Sequence, residues 1–134
     1  MKKEKIYFAS DFHLGSPNYE ESLKREKKII SWLNEIEKDA KKIYLLGDIF
    51  DFWFEYEKVV PKGFVRLLAK LADLVDKGIQ IHFLVGNHDM WMRDYLEKEI
   101  GLKVHFKEFI VEEDNQLIYV CLLYTSDAAD DPTC

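Results

Sequence analysis

The chain has 134 residues, 48% of them hydrophobic, and a formal net charge of −6 at pH 7. Its length fits one modest domain or part of a larger one, and its hydrophobic content is enough for a packed core, which excludes a mostly disordered protein. Nucleic-acid binding requires a concentrated basic face, which an acidic sequence of this kind does not favour, so we expect no nucleic-acid partner.

The N-terminal sequence does not have the form of a signal peptide, because only five residues separate Lys5 from Asp11, which is too few for an apolar core. No stretch approaches the ~20 apolar residues that cross a bilayer. We therefore expect a cytoplasmic protein. A basic cluster over residues 24–28 is typical of an exposed helix face, with an anionic membrane surface or a phosphate-rich ligand as the alternative.

Three short apolar segments, residues 6–10, 43–46 and 81–85, predict strands. Two helical patterns lie between them. The first begins near Asn18, where Glu21 completes a pattern that resembles a capping box, and the second runs from about Pro61 to Gly78. This alternation predicts an α/β fold with a parallel sheet in βαβαβ order.

The remaining sequence predicts a short helix over residues 90–99 and short strands over 103–105, 109–112 and 117–120, with a turn near 113–115. After Val120 the apolar alternation stops, and the segment resembles the translated sequencing-adapter tails found at the ends of fragmentary gene models. We therefore expect a partial domain over residues 1–120 and a non-native tail over residues 121–134.

Polar side chains follow each of the three predicted strands directly. Because the carboxyl ends of parallel strands meet at one edge of a sheet, we expect these side chains to lie close together. Mixed oxygen and imidazole donors suit Mn²⁺, Fe or Zn²⁺ better than a calcium cage or a thiolate zinc site. The sequence therefore predicts a metal site built from some of the following: Asp11, His13, Asp48, Asp51, Asn87, His88 and Asp89.

The chemistry of these groups fits a pair of cations. The Asp48 carboxylate has two oxygens and is able to bridge two ions, while Asn87 offers a neutral oxygen. Two metals about 3.5–4 Å apart are a common device for phosphoryl transfer. Each motif taken alone is also compatible with an ordinary turn, and it is their joint placement after three strands that favours a functional site.

The ordered motifs Asp-x-His, Gly-Asp-x-x-Asp and Gly-Asn-His-Asp resemble the first half of the calcineurin-like metallophosphoesterase signature, over about residues 5–120. The resemblance implies the N-terminal half of a β-sandwich flanked by helices, and a dinuclear centre for which we expect Mn²⁺. It places Asp11 and His13 on one ion and Asn87 on the other, with Asp48 as the bridge.

The same resemblance assigns catalytic roles to two further residues. His88 would face the substrate phosphate rather than bind metal, and Asp51 would orient it as a histidine–carboxylate pair. An imidazolium in that position neutralises charge on the phosphoryl group or protonates the leaving oxygen. Asn87 and His88 are thus also the expected substrate-binding residues.

Within the family, the first two motifs and the aromatic stretch after Asp51 resemble UDP-2,3-diacylglucosamine pyrophosphohydrolases of lipid A biosynthesis, particularly Bacteroidetes versions. The resemblance implies a lipid-linked sugar nucleotide as substrate and peripheral contact with the inner membrane. Phe52, Trp53 and Trp91 are candidates for an apolar wall against acyl chains, although core packing is the alternative. His88 departs from the subfamily, in which many members carry Arg.

The family completes its site with a Gly-His and a His-x-His motif, and neither follows Val120. The resemblance therefore implies an incomplete ligand set, and we expect this fragment alone to be inactive. His82 and His105 lack the motif context, so we interpret both as structural. Two alternatives remain open: a metallophosphoesterase for phosphodiesters or phosphomonoesters, and a non-catalytic interaction module on the same fold.

Overall fold

Four parallel strands form the main sheet of the computed structural model, which describes residues 4–56, 59–86 and 92–121. The strands are β1 (Lys5–Ala9), β2 (Ala40–Leu46), β3 (Gln80–Leu84) and β4 (Lys103–His105), and they lie in that order across the sheet. In the inner strand β2, Ile43, Tyr44 and Leu45 are all buried, as a parallel strand covered on both faces requires. The predicted α/β class and the βαβαβ order are confirmed.

Two helices connect the first three strands, α1 (Tyr19–Ile36) and α2 (Val65–Asp76). Asn18 caps α1, because its side-chain oxygen accepts a hydrogen bond from the Glu21 backbone N–H at 2.9 Å. The predicted start of α1 is thus confirmed. The predicted start of α2 near Pro61 is wrong, since Phe64 adopts a left-handed φ of 61° and the helix begins only at the next residue.

The beginning of α2 is capped by a side chain from the other helix. Phe64 provides no side-chain cap, and instead Glu26 of α1 accepts a hydrogen bond from the Leu67 backbone N–H at 2.9 Å. Glu26 is only 4% exposed. A carboxylate at a helix N-terminus satisfies an otherwise unpaired donor and interacts favourably with the helix dipole, so this contact ties the two helices together.

The C-terminal part contains a π-helical turn over Leu96–Ile100 and an antiparallel hairpin of β5 (Phe109–Glu113) and β6 (Gln116–Val120). Asp114 and Asn115 have φ values of 50° and 65°, which is the geometry that a two-residue hairpin turn requires. The predicted turn and strands are confirmed. The predicted helix over 90–99 is replaced by the shorter π-helical turn within its described portion.

The hairpin packs on the main sheet through two ion pairs and a tilted aromatic contact. Glu113 is buried and forms ion pairs with Lys41 and Lys42 of β2. The ring of Tyr44 lies 6.1 Å from that of Phe109. Among the described residues, every helix is too short or too polar to span a bilayer. The predicted tail lies almost entirely outside the described residues.

Candidate metal centre

The loops that follow β1 and β2 run side by side and are joined by backbone hydrogen bonds. The Asp11 N–H donates to the Gly47 carbonyl at 3.1 Å, and the His13 N–H donates to the Asp48 carbonyl at 3.0 Å. Because β1 and β2 are adjacent and parallel in the sheet, both loops leave from the same edge. This pairing brings the predicted ligands Asp11, His13 and Asp48 together.

One ligand atom from each of Asp11, His13 and Asp48 lies within 4.8 Å of the other two. Nε2 of His13 is 3.4 Å from Oδ1 of Asp11. Asp11 is exposed and the other two side chains are half-buried, so a cation from solvent has access. Two carboxylates and an imidazole at this separation fit a divalent ion of the kind that accepts mixed oxygen and nitrogen donors.

All three members of this cluster have a left-handed backbone. The φ values are 59° for Asp11, 47° for His13 and 53° for Asp48. Non-glycine residues rarely adopt this region, and each such conformation costs of order 1–3 kcal/mol, which the surrounding structure must offset. Strain concentrated on the three candidate ligands is typical of a site whose geometry is fixed before a ligand arrives.

Gly86, two residues beyond the end of β3, explains how the chain leaving the third strand approaches this cluster. A Cβ atom added to Gly86 would lie 2.6 Å from both the backbone N and Oδ1 of Asp48. Only glycine therefore allows this close approach without displacing Asp48. The expected ligand Asn87 and the expected catalytic residue His88 follow immediately, and both lie outside the described residues.

Asp51 lies against His13 in this structure. Its Oδ1 is 3.3 Å from Nδ1 of His13, and its backbone N–H donates to the Leu14 carbonyl at 2.9 Å. A carboxylate on the second ring nitrogen is the usual support for a histidine that binds metal through the other nitrogen. Asp51 is thus placed to orient His13, while its expected pairing with His88 stays a prediction.

The aromatic stretch after Asp51 is mostly part of the core. Trp53 is 0% exposed, its ring lies 4.5 Å from that of Phe50, and its Nε1–H donates to Glu55 at 3.0 Å. Of the two interpretations of Trp53, core packing is therefore confirmed and contact with acyl chains is wrong. Phe52 is 63% exposed and stays a candidate, and Trp91 lies outside the described residues.

His82 and His105 lie on β3 and β4 within the sheet. Nδ1 of His82 is at hydrogen-bond distance, 2.9 Å, from Nε2 of His105. The His82 ring also stacks on Tyr44 with 4.7 Å between ring centroids. Burial, reinforced by His105 and Lys103, lowers the pKa of His82 to about 4. This packing supports the interpretation that both histidines are structural.

Sequence reasoning missed the contact that Arg25 makes with the first loop of the site. Its guanidinium donates to the backbone carbonyls of Phe12, His13 and Ser16. In the sequence Arg25 belongs to a basic cluster typical of an exposed helix face. The carbonyls that it contacts become visible only in the folded loop, so no sequence signal pointed to this role.

The match to known families agrees with this geometry. The model of the calcineurin-like phosphoesterase family matches residues 4–126, and the chain therefore belongs to that family. Calcineurin-like phosphoesterases use divalent metal ions, and Asp11, His13 and Asp48 form a group that could hold one.

Among curated proteins the chain is similar to UDP-2,3-diacylglucosamine hydrolases. The protein of that name from Porphyromonas gingivalis is 50% identical over 115 residues, which are 86% of this chain and 44% of the relative. The one from Nitrosococcus oceani is 30% identical over 98 residues, covering 73% of this chain and 37% of the relative. The chain thus spans less than half the length of these relatives.

A solved structure supports the fold. The crystal structure of a protein of unknown function from Aquifex aeolicus matches with a TM-score of 0.54 and 21% identity, covering 85% of this chain and 57% of that one.

Proposed function

We propose that the full-length protein, meaning this chain continued to the length of its relatives, hydrolyses the pyrophosphate of UDP-2,3-diacylglucosamine. The products would be UMP and 2,3-diacylglucosamine 1-phosphate, in lipid A biosynthesis. The proposed reaction class, metal-dependent hydrolysis of a phosphoanhydride, is supported by the convergence of Asp11, His13 and Asp48. The proposed substrate is supported by the 50% identity to a relative named for that compound.

We propose that two divalent ions, Mn²⁺ in the cell, bind at the strand ends. Asp11 and His13 would hold one ion, Asn87 the other, and Asp48 both. When bound, the ions supply Lewis-acid stabilisation of the charge that develops on the phosphoryl group. The carboxylates of Asp11 and Asp48 offset the ionic charge, and Asp51 fixes the ring of His13 through Nδ1.

His88 is the proposed group that faces the scissile phosphate. As an imidazolium it would stabilise negative charge on the departing phosphate and deliver a proton to it. Asp51 has two carboxylate oxygens, and Oδ1 faces His13. The same carboxylate would orient His88 through its other oxygen. Asn87 and His88 would together contact the substrate phosphate.

The test is release of UMP from UDP-2,3-diacylglucosamine by the full-length protein with Mn²⁺. Asp48→Ala should abolish turnover, because the shared carboxylate is lost from both ions. The matched control is Asp76→Ala, which removes an exposed carboxylate on α2 and should leave the rate unchanged. Hydrolysis of simple phosphodiesters without any UMP release would reject the substrate and keep only the family assignment.

A different class, a non-catalytic interaction module, predicts no turnover of either compound. The intact cluster of two carboxylates and one imidazole argues against it, since a binding module has no need to hold three strained ligand residues together. Full-length protein that binds Mn²⁺ but hydrolyses neither the sugar nucleotide nor phosphodiesters would favour this alternative.

We also propose peripheral contact with the inner membrane, because the proposed substrate is acylated. Lys24, Lys27 and Lys28 are exposed or nearly so on α1 and would face anionic headgroups, each worth about 1 kcal/mol near such a surface. Sedimentation with phosphatidylglycerol vesicles at low salt tests this, with phosphatidylcholine vesicles as the control. Equal binding to both vesicle types would contradict the contact.

For the chain itself, we propose a partial domain over residues 1–120 and a non-native tail over residues 121–134. The missing ligands would follow residue 120 in the native gene, beginning with a Gly-His motif. Resequencing the source locus tests this. A natural in-frame stop codon after Cys134 would contradict it.

A further inference from the structure

Arg25 binds the backbone of the loop that carries the first two candidate ligands. Its Nε donates to the Phe12 carbonyl at 2.8 Å and its Nη2 to the His13 carbonyl at 2.6 Å, with a further bond from Nη2 to the Ser16 carbonyl. The planar guanidinium holds these donors in fixed directions. One side chain thus fixes three carbonyls within five residues.

The loop needs this support because its ligands are in unfavourable backbone conformations. Asp11 and His13 both have a left-handed φ. On one side the loop is held by hydrogen bonds from the N–H groups of Asp11 and His13 to the carbonyls of Gly47 and Asp48. Arg25 holds the carbonyl of His13 itself, so its removal frees the peptide next to the strained residue.

The helix behind Arg25 is anchored at neighbouring positions, which makes the support rigid. One turn earlier, the Ser22 hydroxyl oxygen accepts a hydrogen bond from the Gly15 N–H at 2.6 Å. The next residue along, Glu26, binds the N-terminus of α2. Ser22 and Glu26 are both buried. Arg25 therefore projects from a fixed platform onto the loop.

We propose that Arg25 is a positioning residue that holds the Asp11–His13 loop in the shape that presents both side chains to a divalent cation. This inference rests on the proposed metal site. The direction in which metal affinity changes separates this role from a purely electrostatic effect of the arginine charge. A nearby positive charge alone repels a cation, so its loss would tighten metal binding. Loss of the positioning contacts would weaken it.

Two substitutions at Arg25 test the inference in the full-length protein. Arg25→Met keeps an apolar stem and removes every donor, and Arg25→Lys keeps the charge but loses the planar fork. Matched controls are Arg66→Met and Arg66→Lys, since Arg66 is exposed on α2. Free Mn²⁺ is titrated by electron paramagnetic resonance, alongside the melting temperature without metal and the kinetics of UMP release.

Losses of supporting partners around metal ligands typically weaken metal binding by about 10–100-fold. We expect Arg25→Met to raise the dissociation constant for Mn²⁺ by at least about tenfold, and Arg25→Lys to raise it by less. At saturating Mn²⁺, kcat should return to within about threefold of the unsubstituted protein with KM for the substrate unchanged. The Arg66 variants should bind Mn²⁺ normally.

Unchanged or tighter Mn²⁺ binding by Arg25→Met would overturn the inference. So would a lower melting temperature with normal Mn²⁺ affinity in the folded fraction, because that result indicates a purely structural role. Failure of the unsubstituted protein to bind Mn²⁺ would overturn both this inference and the proposed function. Weakened Mn²⁺ binding by the variants, without UMP release by any protein, would support Arg25 and reject only the substrate.

Discussion

Replacing Gly86 with alanine tests how closely β3 must approach the metal centre. Gly86 is buried, lies two residues beyond the end of β3, and is not among the residues with a left-handed φ. The backbone therefore accepts an alanine, and a Gly→Ala change of that kind would by itself stabilise the protein by about 0.4–1 kcal/mol. Any loss of stability in this variant must therefore come from the contacts of the added methyl group.

The structure gives the size of that conflict. The new Cβ would lie 2.6 Å from the backbone N and Oδ1 of Asp48 and 3.0 Å from Cα of Gly47. The closest distance falls 0.8 Å short of the 3.4 Å at which ordinary contact begins. Two of these atoms belong to the backbone, so rotating the Asp48 side chain does not relieve the conflict, and the loop itself must move.

We expect Gly86→Ala to lower the free energy of unfolding by about 1–3 kcal/mol, the usual cost of overpacking. Misplacement of a catalytic group by about 1 Å reduces turnover by about 100-fold. Turnover by the full-length variant should therefore fall by about that factor, and Mn²⁺ affinity should fall with it. Urea unfolding, Mn²⁺ titration and UMP release measure the three quantities.

The matched control is Gly78→Ala at the C-terminal end of α2. Gly78 has a φ of 96° and no atom within 4 Å of an added Cβ, so alanine there costs stability through backbone strain alone. It should leave Mn²⁺ affinity unchanged. Normal Mn²⁺ affinity and turnover in Gly86→Ala would refute the view that this glycine sets the position of Asp48.

Three further substitutions test other contacts of the fold and the site. Glu26→Ala should lower the free energy of unfolding by about 1–3 kcal/mol in urea, because a buried helix N-terminus loses its charged acceptor; a change below about 0.5 kcal/mol would contradict the cap. The pKa of His82 is lowered to about 4, so the fold favours the neutral ring, and the free energy of unfolding should decrease as the pH falls from about 6.5 toward 4. His82→Phe should reduce the slope of that decrease by at most about 1.4 kcal/mol per pH unit. An unchanged slope would contradict this role of His82. Asp51→Asn should weaken Mn²⁺ binding about tenfold, because Asp51 orients the ligand His13. A fall in kcat at saturating Mn²⁺ with normal Mn²⁺ affinity would indicate that Asp51 mainly orients His88 instead.

Much of the fold and part of the site are predictable from local patterns. The apolar segments gave β1, β2 and β3 to within a few residues, since period and residue type are local properties. The convergence of Asp11, His13 and Asp48 followed from one topological rule, that parallel strands share a carboxyl edge. Asp48 and Asp11 meet although 36 residues of other structure separate them in the sequence.

The features that escaped prediction depend on tertiary contacts. The aromatic stretch after Asp51 has no hydrophobic periodicity that distinguishes the buried Trp53 from the exposed Phe52. The start of α2 depends on a left-handed Phe64 and on a cap supplied by Glu26, which lies 41 residues from its partner. Helical periodicity placed Arg25 on a charged face, whereas its acceptors are carbonyls of the loop that precedes α1.

The strained backbone of the candidate ligands bears on how this half of the site responds to metal. His13 lies between two carboxylates, 3.4 Å from Asp11 and 3.3 Å from Asp51. The first loop is held in place by Arg25 and by backbone hydrogen bonds to the second loop. The carboxylates are therefore held together by the fold even though their charges repel. Binding a cation relieves that repulsion without reorganising the loop, which favours affinity through preorganisation. Because further ligands are proposed to follow residue 120 in the native gene, we expect residues 1–134 alone to bind Mn²⁺ weakly and to show negligible phosphoesterase turnover. Robust phosphodiester hydrolysis by residues 1–134 alone would show that these strained ligands need no further partners.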